Sequence, residues 1–122
     1  MSAPSSTTLN PVIDRRRVID QALIDEVVSR IVAAFDPEEI ILFGSHARGD
    51  ARVDSDLDLL VIMDSDLHPV ERALEIDRLF GFYLWAMDVF VYTRKEFEED
   101  RGCFGTLVSA ISNEGKTLYA RK

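Results

Sequence analysis

Two apolar runs on either side of a polar stretch constrain this chain more than anything else in it. Ile40-Ile41-Leu42-Phe43 delivers the chain into Gly44-Ser45, and Asp56-Leu57-Asp58 opens a second run, Leu59-Leu60-Val61-Ile62. Runs this short and this apolar, bounded by Gly, Ser and Asp, read as strands. Side chains alternate along a strand, so Asp56 and Asp58 share one face while Leu57 and Leu59 take the other. Paired carboxylates repel one another and suit a hard divalent cation; Mg²⁺ takes a few carboxylates together with water and phosphate oxygens. After Gly44-Ser45 a short helix is expected, because a tight turn of small residues lets backbone N–H groups and a serine hydroxyl converge on an anion. This is not a P-loop, since no lysine follows Gly49.

The rest of the chain alternates helix and strand. Ile24, Val27, Val28, Ile31, Val32 and Phe35 fall on one helical stripe, which predicts a helix from about Val18 to Phe35 that stops at Asp36-Pro37. Strands follow over Glu39–Phe43 and about Leu57–Met63. Pro69 suits a first helical turn, and an apolar face runs from Val70 to Phe80, ending at Gly81. A third strand spans Met87–Tyr92, with Asp88, Phe90 and Tyr92 on one face. A helical segment over Arg94–Asp100, another through Phe104, Leu107, Val108 and Ile111 to a Gly115 cap, and a strand or tail over Lys116–Ala120 complete the pattern. The alternation predicts an α/β or α+β two-layer domain.

At 122 residues with 47% apolar content, the chain can bury one core. Residues 1–17, rich in Ser, Thr and Pro before Arg15-Arg16-Arg17, are expected to be a flexible leader, and residues 18–122 a single domain. The triple arginine reads as a solvated charge cluster near a helix start. A net charge of −8 argues against strong nucleic-acid binding. A single cysteine, Cys103, allows no intramolecular disulfide, and with only His46 and His68 a structural zinc site is not expected. No apolar run reaches the length of a membrane span, and a cytoplasmic location is expected. His46 reads as an incidental exposed neighbour, His68 as a helix-start residue, Cys103 and Trp85 as packing residues, and the Glu96-to-Asp100 acids as a solvated helix face.

Gly44-Ser45, ten intervening residues, then Asp56-x-Asp58, with Leu-Phe-Gly-Ser-x-Ala-Arg-Gly-Asp around them, resembles the DNA polymerase β-type nucleotidyltransferase superfamily. Within it the short chain is similar to the minimal nucleotidyltransferase (MNT) group, a likeness running from about Ile40 to Tyr119. The resemblance implies the polymerase β-type palm, a small mixed β-sheet with helices packed on one side. It also implies two Mg²⁺ ions bridged by Asp56 and Asp58, with Asp88 completing the site of the ion that activates the acceptor. Gly44 and Ser45 would hold the terminal phosphates of ATP. Arg48 would be a further phosphate clamp, since guanidinium matches phosphate oxygens; the alternative is a surface ion pair with Asp50 or Asp54. Ser45 could be only a helix cap, and Asp88 only an exposed edge residue.

MNT proteins are commonly paired with a small helical HEPN-type toxin, and the resemblance implies an antitoxin that moves AMP from ATP to a hydroxyl of that partner, a tyrosine. Two other readings stay open. One is transfer to a small molecule such as an aminoglycoside; the other is a non-catalytic antitoxin that neutralises by contact. The three acids favour an enzyme over a contact surface. An oligomer is compatible with the sequence.

Overall fold

The computed structural model describes residues 13–122. In chain order the elements are β1 (Ile13–Asp14), α1 (Gln21–Phe35), β2 (Glu39–Phe43), α2 (Ser45–Arg48), β3 (Leu57–Ile62), α3 (Pro69–Leu79), β4 (Phe82–Tyr83), β5 (Met87–Tyr92), α4 (Arg94–Arg101), α5 (Leu107–Glu114) and β6 (Lys116–Ala120). The helix ends follow local chemistry. The Asp20 side chain accepts from Leu23 N–H and starts α1 three residues later than the apolar stripe suggests, and left-handed Asp36, ahead of Pro37, stops it. His68 Nδ1 caps Val70 N–H beside Pro69. Thr93 and Glu96 form a reciprocal capping box at α4. Thr106 caps α5, which leaves Phe104 outside the helix and fully exposed rather than on its apolar face.

Four strands form a mixed sheet in the order β5-β3-β2-β6. β3 runs antiparallel to β2 and parallel to β5, and β6 pairs antiparallel with β2 on the other side. The expected α/β class and mixed sheet are present, but the helices are not confined to one side. Ile40, Leu42, Leu57, Leu59, Val61 and Val91 pack under α1 and α3, against Leu23, Val27, Ile31 and Ile76. Ile41, Phe43, Leu60 and Ile62 face the opposite way and pack against Phe97 of α4 and Val108 and Ile111 of α5. The reason lies in β2 and β3 themselves. They are apolar on both alternations, and each large side chain left in water would forfeit roughly 1.5–3 kcal/mol, so a second cover is required. Gly115 permits it: a Cβ there would overlap Ile111 O and Ile41 Cγ2 where the chain turns from α5 into β6. It is the cap of α5, as expected, with an extended backbone whose N–H donates to Ile111 O.

Of the expected leader, residues 1–12 lie outside those described. Residues 13 and 14 are paired: β1 runs parallel to β4, Ile13 beside Phe82 and Asp14 beside Tyr83, while Arg15, Arg16 and Arg17 are exposed. The Arg16 guanidinium grips Asp14 and Glu26 of α1 and lies 5.8 Å from the Trp85 ring centroid. One member of the triple arginine is thus a structural tie. Cys103 is exposed rather than packed. No helix among the described residues is long and apolar enough to cross a membrane.

Candidate active site

β2 ends at Phe43, and the chain must turn at once to begin α2. Gly44 makes that turn at φ +74°, where a Cβ would overlap Oδ2 of Asp58. Glycine is demanded twice, by its backbone and by the carboxylate pressed against it. Gly44 O accepts from Ala47 N–H and Arg48 N–H, and Ala47 is buried, so α2 is held short against the sheet. The return loop is tied to itself: Arg52 N–H donates to Ser55 Oγ at 2.7 Å, and Ser55 N–H to Arg52 O. His46 Nε2 lies 3.3 Å from Ser55 O. A carbonyl only accepts, so Nε2 carries the proton. His46, expected to be an exposed bystander, is half-buried and braces the loop that delivers Asp56.

Asp56 stands just before β3, and Asp58 is the second residue of that strand. The β3–β5 register places Asp88 directly beside Asp58, and β2–β3 pairing places Phe43 on its other side. Carboxylate oxygens of Asp56, Asp58 and Asp88 all lie within 4.8 Å of one another. The trio occupies the same sheet face as Leu60 and Ile62, but at the N-terminal ends of β3 and β5, whereas α4 starts beyond the C-terminal end of β5. Asp56 and Asp88 are accordingly exposed and Asp58 half-buried. Burial, then repulsion from Asp88 and Asp56, raises the Asp58 pKa, with His46 and Arg48 opposing. Three hard oxygen donors, two open to solvent, fit a divalent ion that completes its shell with water and phosphate. The trio's span is close to the ~3–4 Å that separates oxygens around one Mg²⁺ at ~2.1 Å bond length, within reach of a side-chain rotation.

The other candidates divide. Ser45 is the first residue of α2, next to the acids through Gly44. Arg48 lies at the far end of α2, where it pairs with Asp50 and Glu114, each at 3.3 Å. Its guanidinium is exposed and is not aimed at the trio. Two sets of contacts had no sequence signal. Phe90 packs on Phe43 with ring centroids 5.9 Å apart, on the same face as Asp88. Arg72, a charged residue on the apolar side of α3, is only 5% exposed. It donates to Leu67 O, Val91 O and Glu96, locking α3 to β5 and α4. Glu96 is therefore its partner, not part of a solvated face.

The Gly-Ser turn abuts the second of two alternating acids, with a third acid beside it on a parallel strand, the arrangement the sequence resemblance implies. The chain belongs to the nucleotidyltransferase domain family, whose profile matches residues 23–120. Among solved structures it resembles a candidate nucleotidyltransferase from Sulfolobus solfataricus at 24% identity and TM-score 0.58, covering 82% of this chain and 79% of that one. It also resembles a tyrosine-to-alanine mutant of the toxin–antitoxin MntA–HpeT at 18% identity and TM-score 0.53, covering 81% and 73%. A third likeness is to a toxin–antitoxin with AMP-PNP, at 17% identity and TM-score 0.52, covering 80% and 73%. At such identities the likeness is one of fold. No curated protein matches by sequence.

Proposed function

We propose that this nucleotidyltransferase moves AMP from ATP to a hydroxyl of a partner protein, a tyrosine of a HEPN-type toxin, and so acts as its antitoxin. The observation that carries the reading is the convergence of Asp56, Asp58 and Asp88 beside the Gly44-Ser45 turn. Asp56 and Asp58 would hold two Mg²⁺ ions and Asp88 would share the one nearer the acceptor. Bound there, the ions would neutralise charge on the α-phosphate and leaving group. The acceptor oxygen bonds to the α-phosphorus as the bond to pyrophosphate breaks, and the hydroxyl proton passes to Asp88, an exposed carboxylate of the trio. The Gly44-Ser45 turn and the Ser45 hydroxyl would bind the terminal phosphates. Arg48 would join them by leaving Asp50 and Glu114, an exchange that exposed ion pairs resist only weakly.

The partner class is supported by two of the fold neighbours being toxin–antitoxin complexes, one of them with an ATP analogue. The test mixes the protein with ATP, Mg²⁺ and the protein encoded beside it, and reads intact masses and the modified residue. AMP on a partner tyrosine, lost in Asp88→Asn, is the expected result. Neutralisation by Asp88→Asn without any mass change would establish masking by contact instead, and AMP appearing only on an aminoglycoside would move the acceptor class to small molecules.

A further inference from the structure

β5 is the terminal strand of the sheet, and among the described residues nothing pairs with its outer edge. Leu57 N–H donates to Ala86 O and Met63 N–H to Tyr92 O, so the even-numbered residues turn their backbone groups toward β3. By strand alternation Met87, Val89 and Val91 present theirs outward. Arg72 already occupies Val91 O, at 3.4 Å. The open positions are therefore at Met87 and Val89, on either side of Asp88.

That edge is the floor of a groove of about 620 Å³ between α3 and α4. Its walls keep large apolar side chains in water: Val70 is 61% exposed, Leu74 44% and Phe90 40%. Glu99 and Asp100 of α4 stand on the rim, and Asp88 lines the same groove. An apolar trough with unpaired backbone, acidic margins and one end in the acid trio specifies its occupant closely. A strand can satisfy the backbone, its apolar residues can cover Val70 and Leu74 on the α3 side, and its alternate basic residues can lay their stems over Phe90 and face Glu99 and Asp100 on the α4 side. Nucleic acid is disfavoured by the acids, and a polycationic sugar would leave the apolar wall and strand edge unsatisfied.

We propose that the acceptor protein docks an extended, apolar and basic segment of about six residues, ~20 Å long, as an added strand on β5, which delivers its hydroxyl to Asp88. The delivery rests on the transfer reading above; the docking does not.

Two fluorescent ten-residue peptides test it by anisotropy in the absence of ATP. One alternates Lys and Val around a single Tyr; the other has Glu for Lys. The Lys peptide should bind at least tenfold tighter than the Glu peptide, and N-methylation of alternate backbone nitrogens should abolish binding. Val70→Gln with Leu74→Gln should weaken it about tenfold, and Glu99→Lys with Asp100→Lys should reverse the charge preference. Absence of binding by either peptide, or equal binding across these variants, overturns the proposal. So does a wild-type dimer that dissociates on Val70→Gln with Leu74→Gln, since a second copy would then fill the groove, or an aminoglycoside held by Glu99 and Asp100 where neither peptide binds. Mg·ATP calorimetry on the same wild-type protein separates the two readings. Peptide binding without nucleotide binding sinks the transfer, while nucleotide binding without peptide binding sinks the groove alone.

Discussion

Replacing Asp58 by Asn should make the metal-free protein more stable while ending its activity. Asp58 is half-buried, with two carboxylates whose oxygens approach within 4.8 Å. Two unit charges about 4 Å apart repel by roughly 1 kcal/mol in water and about 4 kcal/mol at an effective dielectric of 20. At this partly exposed site each neighbour costs on the order of 1–2 kcal/mol, and burial of the charge adds to that. Attraction to His46 and Arg48 offsets a part. The amide removes these terms at nearly constant shape, so the net gain is about 1–2 kcal/mol near neutral pH, roughly 3–8 °C in midpoint for a domain of this size. The pH dependence has a fixed sign. Folding raises the Asp58 pKa, so the contribution of this carboxyl is most favourable below its unfolded value near ~3.9 and is lost as pH rises through the higher folded value. The advantage of Asp58→Asn should therefore be largest at pH 7–8 and vanish on acidification. Thermal unfolding in chelator and low salt across pH 4–8 measures it, and Mg·ATP should then stabilise the wild type but not the variant. A variant less stable than wild type at pH 7.5 in chelator would refute the argument, because Asp58 would then be a structural acceptor rather than a strained ligand.

Gly44→Ala forces a side chain into Asp58 at a positive φ, which should cost about 1–3 kcal/mol in urea unfolding and reduce metal-dependent nucleotide binding more than stability alone predicts. Arg72→Ala leaves Leu67 O and Val91 O unpaired, and urea unfolding should show a loss of roughly 3 kcal/mol. Hydrogen bonding from Arg72 holds the Glu96 pKa low, so the wild-type advantage over Arg72→Ala should be full above the ordinary Glu range and shrink as pH falls through the lowered value. Arg48→Ala should weaken binding of a non-hydrolysable ATP analogue about tenfold or more by calorimetry, and unchanged affinity would leave Arg48 as a surface ion-pair residue. Chelation of divalent ions should abolish nucleotide binding in the same titration; equal affinity in chelator would remove the metals from the reading.

What the sequence made legible was local. Strand limits at Glu39–Phe43 and Met87–Tyr92 match because short apolar runs bounded by Gly, Asp and Thr carry their own ends, and Asp56 with Asp58 shares a face by alternation alone. Pairing of Asp58 with Asp88 depends on the β3–β5 register, which no local pattern encodes, and the resemblance alone anticipated it. The second helical cover was hidden for a related reason: Ile41, Phe43, Leu60 and Ile62 announce burial without saying against what. Burial of Arg72 has no local sign because its partner, Glu96, lies far along the chain. Phe104 and Cys103 looked like packing residues by type, yet the Thr106 cap starts the helix after both of them.

The surplus of negative charge links the site to its substrates. A triphosphate approaching three carboxylates on a chain of net charge −8 meets repulsion that the Ser45 turn and a single exposed Arg48 do little to offset. On the proposed reading, nucleotide binding at such a site would depend on cations arriving with the phosphates, and the trio would act as a filter for the metal-bound form of ATP. The same surplus continues past Asp88 to Glu99 and Asp100 along the β5 groove, where no phosphate is needed. In the proposed docking, acids there would contribute only by choosing the acceptor, against nucleic acid and in favour of a basic polypeptide. One charge pattern thereby sets both choices in the proposed reaction, through metals on the nucleotide side and through side chains on the acceptor side.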